Sequence, residues 1–252
     1  MLLTIDIGNT NIKSAIFNEL GLIEYFISPG FDVILKSIKH FDLKEVAISS
    51  VVPEQTKLIS SKLKINFGCN PFIISKEVQF NVKLNYNSIN TLGIDRICSA
   101  EGALKLNNNK LGKGSYMIII DLGTAMTINF IKYPNEFIGG LIAPGIVTMF
   151  KSLDQQTAQL PEITINDYKS FIGDDTKSSI ASGVLNSSIG LIEKSIESIS
   201  NLDDCKKEIT YLTGGMAEAL IEYLPAEVIY DKLLVLRGIK SVYDLNKSFT
   251  TN

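Results

Sequence analysis

The chain has 252 residues, 45% hydrophobic and 20% charged, with 27 acidic against 24 basic side chains and a formal net charge of −3. That is enough for two small domains with a substantial core and fits a soluble globular protein. The mild negative charge argues against nucleic acid or an anionic membrane surface as the main partner, and no apolar run approaches the ~20 residues that span a bilayer.

The chain opens directly on the apolar run Leu2 to Ile7, with no basic leader, so no signal peptide is expected. Gly8-Asn9 follows, where a hairpin reverses and where both residue types tolerate positive φ. A second apolar run, Ile12 to Phe17, completes a strand–turn–strand unit. Backbone N–H groups of such a turn can cradle phosphate oxygens. Asp6 shares a strand face with Thr4 and stands where a carboxylate could hold a hydrated cation. Taken alone, the segment is equally an ordinary hairpin with a solvated aspartate.

Asp32 to Phe41 has helical spacing, Glu45 to Val51 reads as a strand, and Pro53 opens a helix to about Leu63 at a position that tolerates its missing N–H. Pro71 to Ser75 is a further short strand. This alternation indicates an α/β domain. Asn85 to Arg96 is an irregular approach to a helix running through Leu104. Asp95 has a plain explanation, since Asp favours N-caps and first turns. Arg96 does not: a first-turn cation opposes the helix dipole and needs an anion, which could be Asp95, another side chain or a bound carboxylate.

Asn107 to Gly114 is a polar linker, which divides the chain into residues 1–112 and 113–252. Met117 to Ile131 then repeats the first hairpin, with Asp121-Leu122-Gly123-Thr124 in place of Asp6-Ile7-Gly8-Asn9, 115 residues further on. Gly139 to Gly145 reads as a strand flanked by turn residues, and Ile146 to Gln159 as a helix. Thr176 is a candidate N-cap for a long helix ending near Ser200, in which Gly183, Ser187 and Gly190 make a stripe of small residues. Such a stripe implies close helix contact, inside the chain or across a dimer. Tyr211 to Gly215 closes another apolar strand on paired glycines. A helix after Gly215, a strand at 227–230 and a helix from Leu234 to Leu245 complete the chain.

Cys69, Cys98 and Cys205 are odd in number and widely spaced. They offer neither a disulfide framework nor a metal spacing, and suit inert thiols in a reducing cytoplasm. The single histidine, His40, ends a surface helix pattern, where the dipole favours an imidazolium. Any general base is therefore expected to be a carboxylate.

Two similar half-chains, each opening on an Asp–Gly hairpin, suggest a duplicated domain with a cleft between the halves. With the Thr213-Gly214-Gly215 element they resemble the nucleotide-binding elements of the acetate and sugar kinase, Hsp70 and actin superfamily. That resemblance implies duplicated RNase H-like, actin-like ATPase domains and a nucleotide cleft. The collinear set Asp6-Ile7-Gly8-Asn9-Thr10 with Lys13, Ser50-Val51-Val52-Pro53, Tyr86, Gly93-Ile94-Asp95-Arg96, Asp121-Leu122-Gly123-Thr124, Gly139-Gly140, Pro144-Gly145, Thr176 with Ser182-Gly183, and Thr213-Gly214-Gly215 resembles the type III pantothenate kinase family.

The resemblance implies phosphorylation of pantothenate by ATP, with a divalent cation such as Mg2+, as the first step towards coenzyme A. Asp6, Gly8, Asn9, Thr10, Asn11, Lys13 and Thr124 would then bind ATP. Tyr86, Gly93, Ile94, Asp95 and Arg96 would bind pantothenate, with Asp95 as proton acceptor. Asp121 would bind a monovalent cation, K+ or NH4+. Thr176 would reach pantothenate from the partner subunit of a homodimer in the cytoplasm. Two departures stand out: Ile89 where relatives often carry proline, and Asp174-Asp175 ahead of Thr176, where acidic side chains would repel an anionic substrate. The chemistry is self-consistent, because phosphoryl transfer needs positioning and charge neutralisation. No Gly-x-x-x-x-Gly-Lys-Ser/Thr loop is present, against a P-loop kinase. The alternatives are another small-molecule kinase of the superfamily and a non-catalytic accessory protein.

Overall fold

The computed structural model describes residues 1–107, 111–156 and 163–247. In chain order the strands are β1 (Leu2–Ile7), β2 (Ile12–Asn18), β3 (Gly21–Ser28), β4 (Glu45–Ser50), β5 (Phe72–Ile73), β6 (Lys83–Leu84), β7 (Ser115–Leu122), β8 (Ala125–Lys132), β9 (Glu136–Pro144), β10 (Lys207–Thr213) and β11 (Ile229–Tyr230). The helices are α1 (Phe31–Ile38), α2 (Pro53–Phe67), α3 (Ile94–Asn107), α4 (Ile146–Gln156), α5 (Thr176–Ser200), α6 (Ala217–Leu220) and α7 (Leu234–Lys247). The chain divides into two compact units. One is Met1–Lys110 with Asn135–Phe137 and Leu233–Asn252; the other is Leu111–Pro134 with Ile138–Lys232.

The first unit is built on a sheet of order β3-β2-β1-β4-β5. β2 is antiparallel to both β1 and β3, whereas β4 runs parallel to β1 and β5. Successive residues of β1 point to opposite faces. Leu3, Ile5 and Ile7 meet Ile34, Ile38, Ile59 and Leu63 of α1 and α2. Leu2, with Ala15, Phe17 and Ala47, meets Cys98, Leu236 and Ile239 of α3 and α7. Cover on both faces explains why β1 reads as a nearly continuous apolar run. Thr4 and Asp6 share the α3/α7 face, and Thr4 Oγ1 donates to the Ala15 carbonyl at 3.2 Å.

The division at residues 112/113 leaves the tail in the second half, whereas the fold returns α7 to the first unit. Glycines make this possible where α3 and α7 touch. A Cβ on Gly102 would fall 2.0 Å from the Leu234 carbonyl oxygen, and one on Gly238 only 1.7 Å from that of Cys98. The two backbones are in direct contact, which a side chain at either position would prevent.

In the second unit β7 lies between β10, parallel to it, and β8, antiparallel. β11 lies outside β10, and β9 outside β8. Ile118, Ile120, Ile128 and Leu212 form the core with Ala181, Leu185 and Ile192 of α5. The first two residues of β9, Glu136 and Phe137, belong to the first unit and pair in parallel with β6 there.

Several expected boundaries shift. α1 stops at Ile38 and α2 runs on to Phe67, where Gly68 (φ +69°) ends it in a left-handed cap. The helix expected over 146–159 is α4 to Gln156; residues 157–159, like 108–110 of the linker, lie outside the described residues. Strand β3 gave no sequence signal, since its half-exposed residues do not alternate cleanly. Among the described residues no helix is long and apolar enough to cross a membrane.

Candidate active site

The first hairpin places Asp6 opposite Lys13 of β2 and Ser49 of β4. Cross-strand partners share a face, so the three side chains gather on the α3/α7 side. Asp6 is 9% exposed. Burial pushes the Tyr25 hydroxyl upward while Lys13 pulls it down and Asp6 raises it, so Tyr25 sits within electrostatic reach of the same pair. The turn Gly8–Asn11 closes with Gly8 N–H donating to the Asn11 carbonyl at 3.2 Å. Gly8 is not left-handed, contrary to expectation; a Cβ there would lie 3.2 Å from the Asn11 oxygen, a tight contact that a small shift could relieve. Asn9 and Thr10 are exposed. Beside the turn, Ser50 Oγ accepts from Val52 N–H at 3.0 Å and Pro53 takes the first position of α2, which fixes the Ser50 to Pro53 corner.

The start of α3 holds the second group of expected residues. Asp95 Oδ1 accepts from the Arg96 N–H at 2.9 Å. The carboxylate folds back over Gly93, where a Cβ would lie 2.3 Å from Oδ1. This is the physical reason for glycine two residues ahead of Asp95. Arg96 is 6% exposed, with its guanidinium 5.6 Å from the Phe137 ring centre and 5.9 Å from that of Tyr86. Tyr86 stands edge-on to Phe137 at 6.0 Å. Two aromatic rings thus accompany the first-turn cation, favourable partners for a guanidinium. The loop before α3 is fixed without the proline that Ile89 replaces: Thr91 donates to the Ser88 carbonyl from N–H at 3.0 Å and from Oγ1 at 2.9 Å. A surface cavity of about 530 Å³ is lined by Lys76, Glu77, Tyr86 and residues 87–90.

Cys98, one turn further along α3, links the two groups. Burial holds its thiol well above the ordinary range, and Asp6 adds to the rise. Ser49 opposes it by a hydrogen bond, while Glu101 and Asp95 raise it further. The carboxylates of Asp6 and Asp95 therefore act on one buried atom within the first unit. That unit contains Asp6, Gly8, Asn9, Thr10, Asn11, Lys13, Tyr86, Gly93, Ile94, Asp95 and Arg96; the second contains Asp121, Thr124 and Thr176.

In the second hairpin, Asp121 faces Thr127 of β8 and Thr213 of β10. The backbone of the Gly123–Thr124 turn is braced by its own unit, although Thr124 itself is exposed. Gly145 N–H and Thr148 Oγ1 both donate to the Thr124 carbonyl, at 3.0 and 2.6 Å. A Cβ on Gly145 would lie 2.1 Å from the Gly123 carbonyl oxygen. Gly214, at φ +106°, approaches so closely that a Cβ would meet Leu122 N at 2.4 Å and Asp121 Oδ1 at 2.6 Å. Among the described residues there is no cluster of three or more His, Cys, Asp or Glu able to hold a metal. Any cation at Asp121 would thus rely on one carboxylate and oxygens of backbone or water, a donor set suited to a hard ion.

Thr176 is not the N-cap of α5. That position is Asp175, which accepts from Ser178 N–H at 2.8 Å, and Thr176 is the first helical residue. Asp175 also accepts from Lys169 at 3.1 Å. Hydrogen bonds from Ser178 and Lys169 lower its pKa to about 2. Asp174 lies 3.9 Å from the same ammonium. Both acidic side chains are thus engaged within their own segment, Asp175 by the helix cap and Lys169, and Asp174 beside the same ammonium. Gly183, Ser187 and Gly190 are all exposed.

Two contributors escaped the sequence reading. Ser49 had a local signal, a polar residue at the end of an apolar strand. Phe137 had none, because only the β6–β9 pairing brings it to Tyr86 and Arg96.

These two sheets, with an Asp–Gly hairpin in each unit, have the fold of the actin-like and sugar-kinase ATPases. A Sinorhizobium meliloti structure assigned as a 2-dehydro-3-deoxygalactonokinase is similar in fold, with a TM-score of 0.59 at 11% identity over 97% of this chain and 99% of its own. A Campylobacter jejuni structure described as a conserved Baf family transcriptional activator is similar with a TM-score of 0.63 and 25% identity, over 98% and 99% of the two chains. Residues 2–198 match the family described as type III pantothenate kinase. The type III pantothenate kinase of Finegoldia magna is 36% identical over 264 aligned positions, covering 98% of both chains. The chain belongs to the type III pantothenate kinase family.

Proposed function

We propose that this chain carries out its family's reaction, phosphorylating the 4′-hydroxyl of pantothenate with ATP and a divalent cation to give 4′-phosphopantothenate in the cytoplasm. Gly8, Asn9, Thr10, Asn11 and Lys13 bind the nucleotide phosphates, with the Lys13 ammonium offsetting their charge, Asp6 binds ATP through its hydrated divalent cation, and Thr124 contacts ATP. Tyr86, Gly93, Ile94 and Arg96 hold pantothenate, Arg96 taking its carboxylate as a planar fork suits. Asp95 accepts or orients the hydroxyl proton. A carboxylate is a weak base for an alcohol. In a loose phosphoryl-transfer transition state the proton leaves late, so orientation matters more. Asp121 with nearby oxygens holds a monovalent cation, K+ or NH4+, which supplies fixed positive charge. Thr176 acts across a homodimer, a proposal supported by the exposed Gly183, Ser187 and Gly190 stripe. Light scattering that finds an active monomer at assay concentration would remove the dimer.

The observation that carries this reading is the start of α3. There Asp95 lies over Gly93 beside a guanidinium placed against two aromatic rings, in the unit that also holds the Asp6 loop. The direct test is a coupled ATP assay over a panel of acceptors, with and without K+. Turnover of pantothenate is expected; turnover of a sugar and none of pantothenate would replace this reading by another kinase of the superfamily. Within it, Asp95→Asn keeps the side-chain oxygen facing the Arg96 N–H and should leave the melting temperature unchanged, while kcat falls roughly 10²–10⁴-fold. Near-normal turnover would reduce Asp95 to a helix-end residue.

A further inference from the structure

We propose that Glu101 is a positioning residue for the acceptor end of this site, tying the segment that carries Tyr86 to the helix that carries Asp95 and Arg96. The inference rests on the assignment of Tyr86 and Arg96 to pantothenate. Glu101 lies in α3 and is fully buried. Its Oε1 accepts from the Val82 N–H at 2.8 Å, and its Oε2 from Asn81 Nδ2 at 2.9 Å and Ser241 Oγ at 3.3 Å. Burying a carboxylate is expensive unless its acceptor sites are filled. An apolar residue would cover the helix at less cost, so packing alone does not account for this one.

The chain from Glu101 to Tyr86 is pinned at each step. Val82 is held by the carboxylate, and Asn135 Nδ2 donates to the Asn81 carbonyl. Lys83 and Leu84 then pair with Glu136 and Phe137. Asn85 donates from its N–H to the Phe137 carbonyl at 3.1 Å and from Nδ2 to Glu136 at 3.0 Å. Tyr86 follows, against the Phe137 ring that also faces Arg96. Glu101 therefore anchors the start of this pinned segment to the helix that carries Arg96, little more than one turn away. The chemistry also explains why the residue is Glu. Both oxygens face donors, and only a carboxylate accepts at both. A glutamine would turn its NH2 towards either Val82 N–H or the Asn81 and Ser241 donors.

The test uses full-length enzyme and separate KM values for pantothenate and ATP. Glu101→Gln should raise KM for pantothenate roughly tenfold while KM for ATP stays within about twofold. Adding Asn81→Asp reverses the donor and acceptor of that hydrogen bond, since the Gln amide can donate to the new carboxylate while its oxygen keeps Val82. KM for pantothenate should then recover. A lower melting temperature with both KM values unchanged would make Glu101 purely structural and overturn the proposal. If Glu101→Gln does not fold, Asn81→Ala and Ser241→Ala each remove one donor from the carboxylate. A rise confined to the pantothenate KM supports the proposal, and no change overturns it. Arg96→Lys separates the two levels. If it leaves pantothenate KM unchanged, the acceptor-site assignment fails and this inference with it. If it raises that KM while Glu101→Gln does not, only the inference fails.

Discussion

The two Asp–Gly hairpins share a sequence pattern and differ in what surrounds their turns. Between β1 and β2 the turn is Gly8–Asn11, with Asn9 and Thr10 exposed. Between β7 and β8 it is Gly123–Thr124, with Thr124 exposed as well but its backbone held by Gly145 and Thr148, while Gly214 closes on Asp121 and Leu122 just before it. The lesson is that a local pattern specifies strand, turn and strand, whereas distant glycines decide whether the turn stays open or is clamped. An open turn whose backbone N–H groups and Lys13 can meet an anion, with Asp6 beside them for its counter-cation, leaves room for a bulky ligand. A braced turn, its Thr124 carbonyl already accepting from Gly145 and Thr148, suits rigid support of the strand end that carries Asp121.

The sharpest way to break this contrast is to neutralise the open hairpin. Asp6→Asn removes the carboxylate facing Lys13 and Ser49, and kcat/KM for ATP should fall about 10²–10³-fold, as for loss of one preorganised electrostatic group. Steady-state kinetics on folded variant would show it; a change under threefold would place the phosphate machinery elsewhere. A smaller effect should come from the clamp. Gly145→Ala meets backbone at 2.1 Å and should cost about 1–3 kcal/mol, lowering the melting temperature by several degrees. Gly8→Ala, with its neighbour at 3.2 Å, should stay within about 0.5 kcal/mol. Equal melting temperatures for the two variants would erase the distinction between the turns. The smallest effect concerns the ion. Replacing K+ by Na+ or Tris should slow turnover several-fold, and Asp121→Asn should flatten that dependence. Equal rates of the unmodified enzyme in all three buffers would assign Asp121 to the divalent cation instead.

Much of the fold was legible because its carriers are local. Both hairpins, β4, α3 and α5 follow from apolar period, turn residues and caps that lie close in sequence. The Gly93-to-Arg96 element stood out as a candidate site because a first-turn arginine contradicts the helix dipole. What stayed hidden depends on pairing between distant segments. Phe137 reaches Arg96 only through β9 and β6, and Glu101 finds its donors at Asn81, Val82 and Ser241. The capping of α5 was misread by one residue because Asp175 and Thr176 are both good caps, and only the donor geometry of Ser178 separates them.

The return of α7 to the first unit has a consequence for how the protein is made. Its β-sheet leaves the ribosome first, but the helix that covers one face of that sheet leaves last. The second unit, translated in between, has its own core complete before the first unit does. Domains generally fold as they emerge, N-terminal first; here the first unit can complete its core only after the second has been made. The face of β1 that bears Leu2, Thr4 and Asp6 must wait, uncovered by α7, for more than half of translation. Pulse-labelled hydrogen exchange on stalled nascent chains should find β7 and β10 protected before β1. Protection of β1 on chains ending at Lys232 would show that α3 alone suffices to cover it.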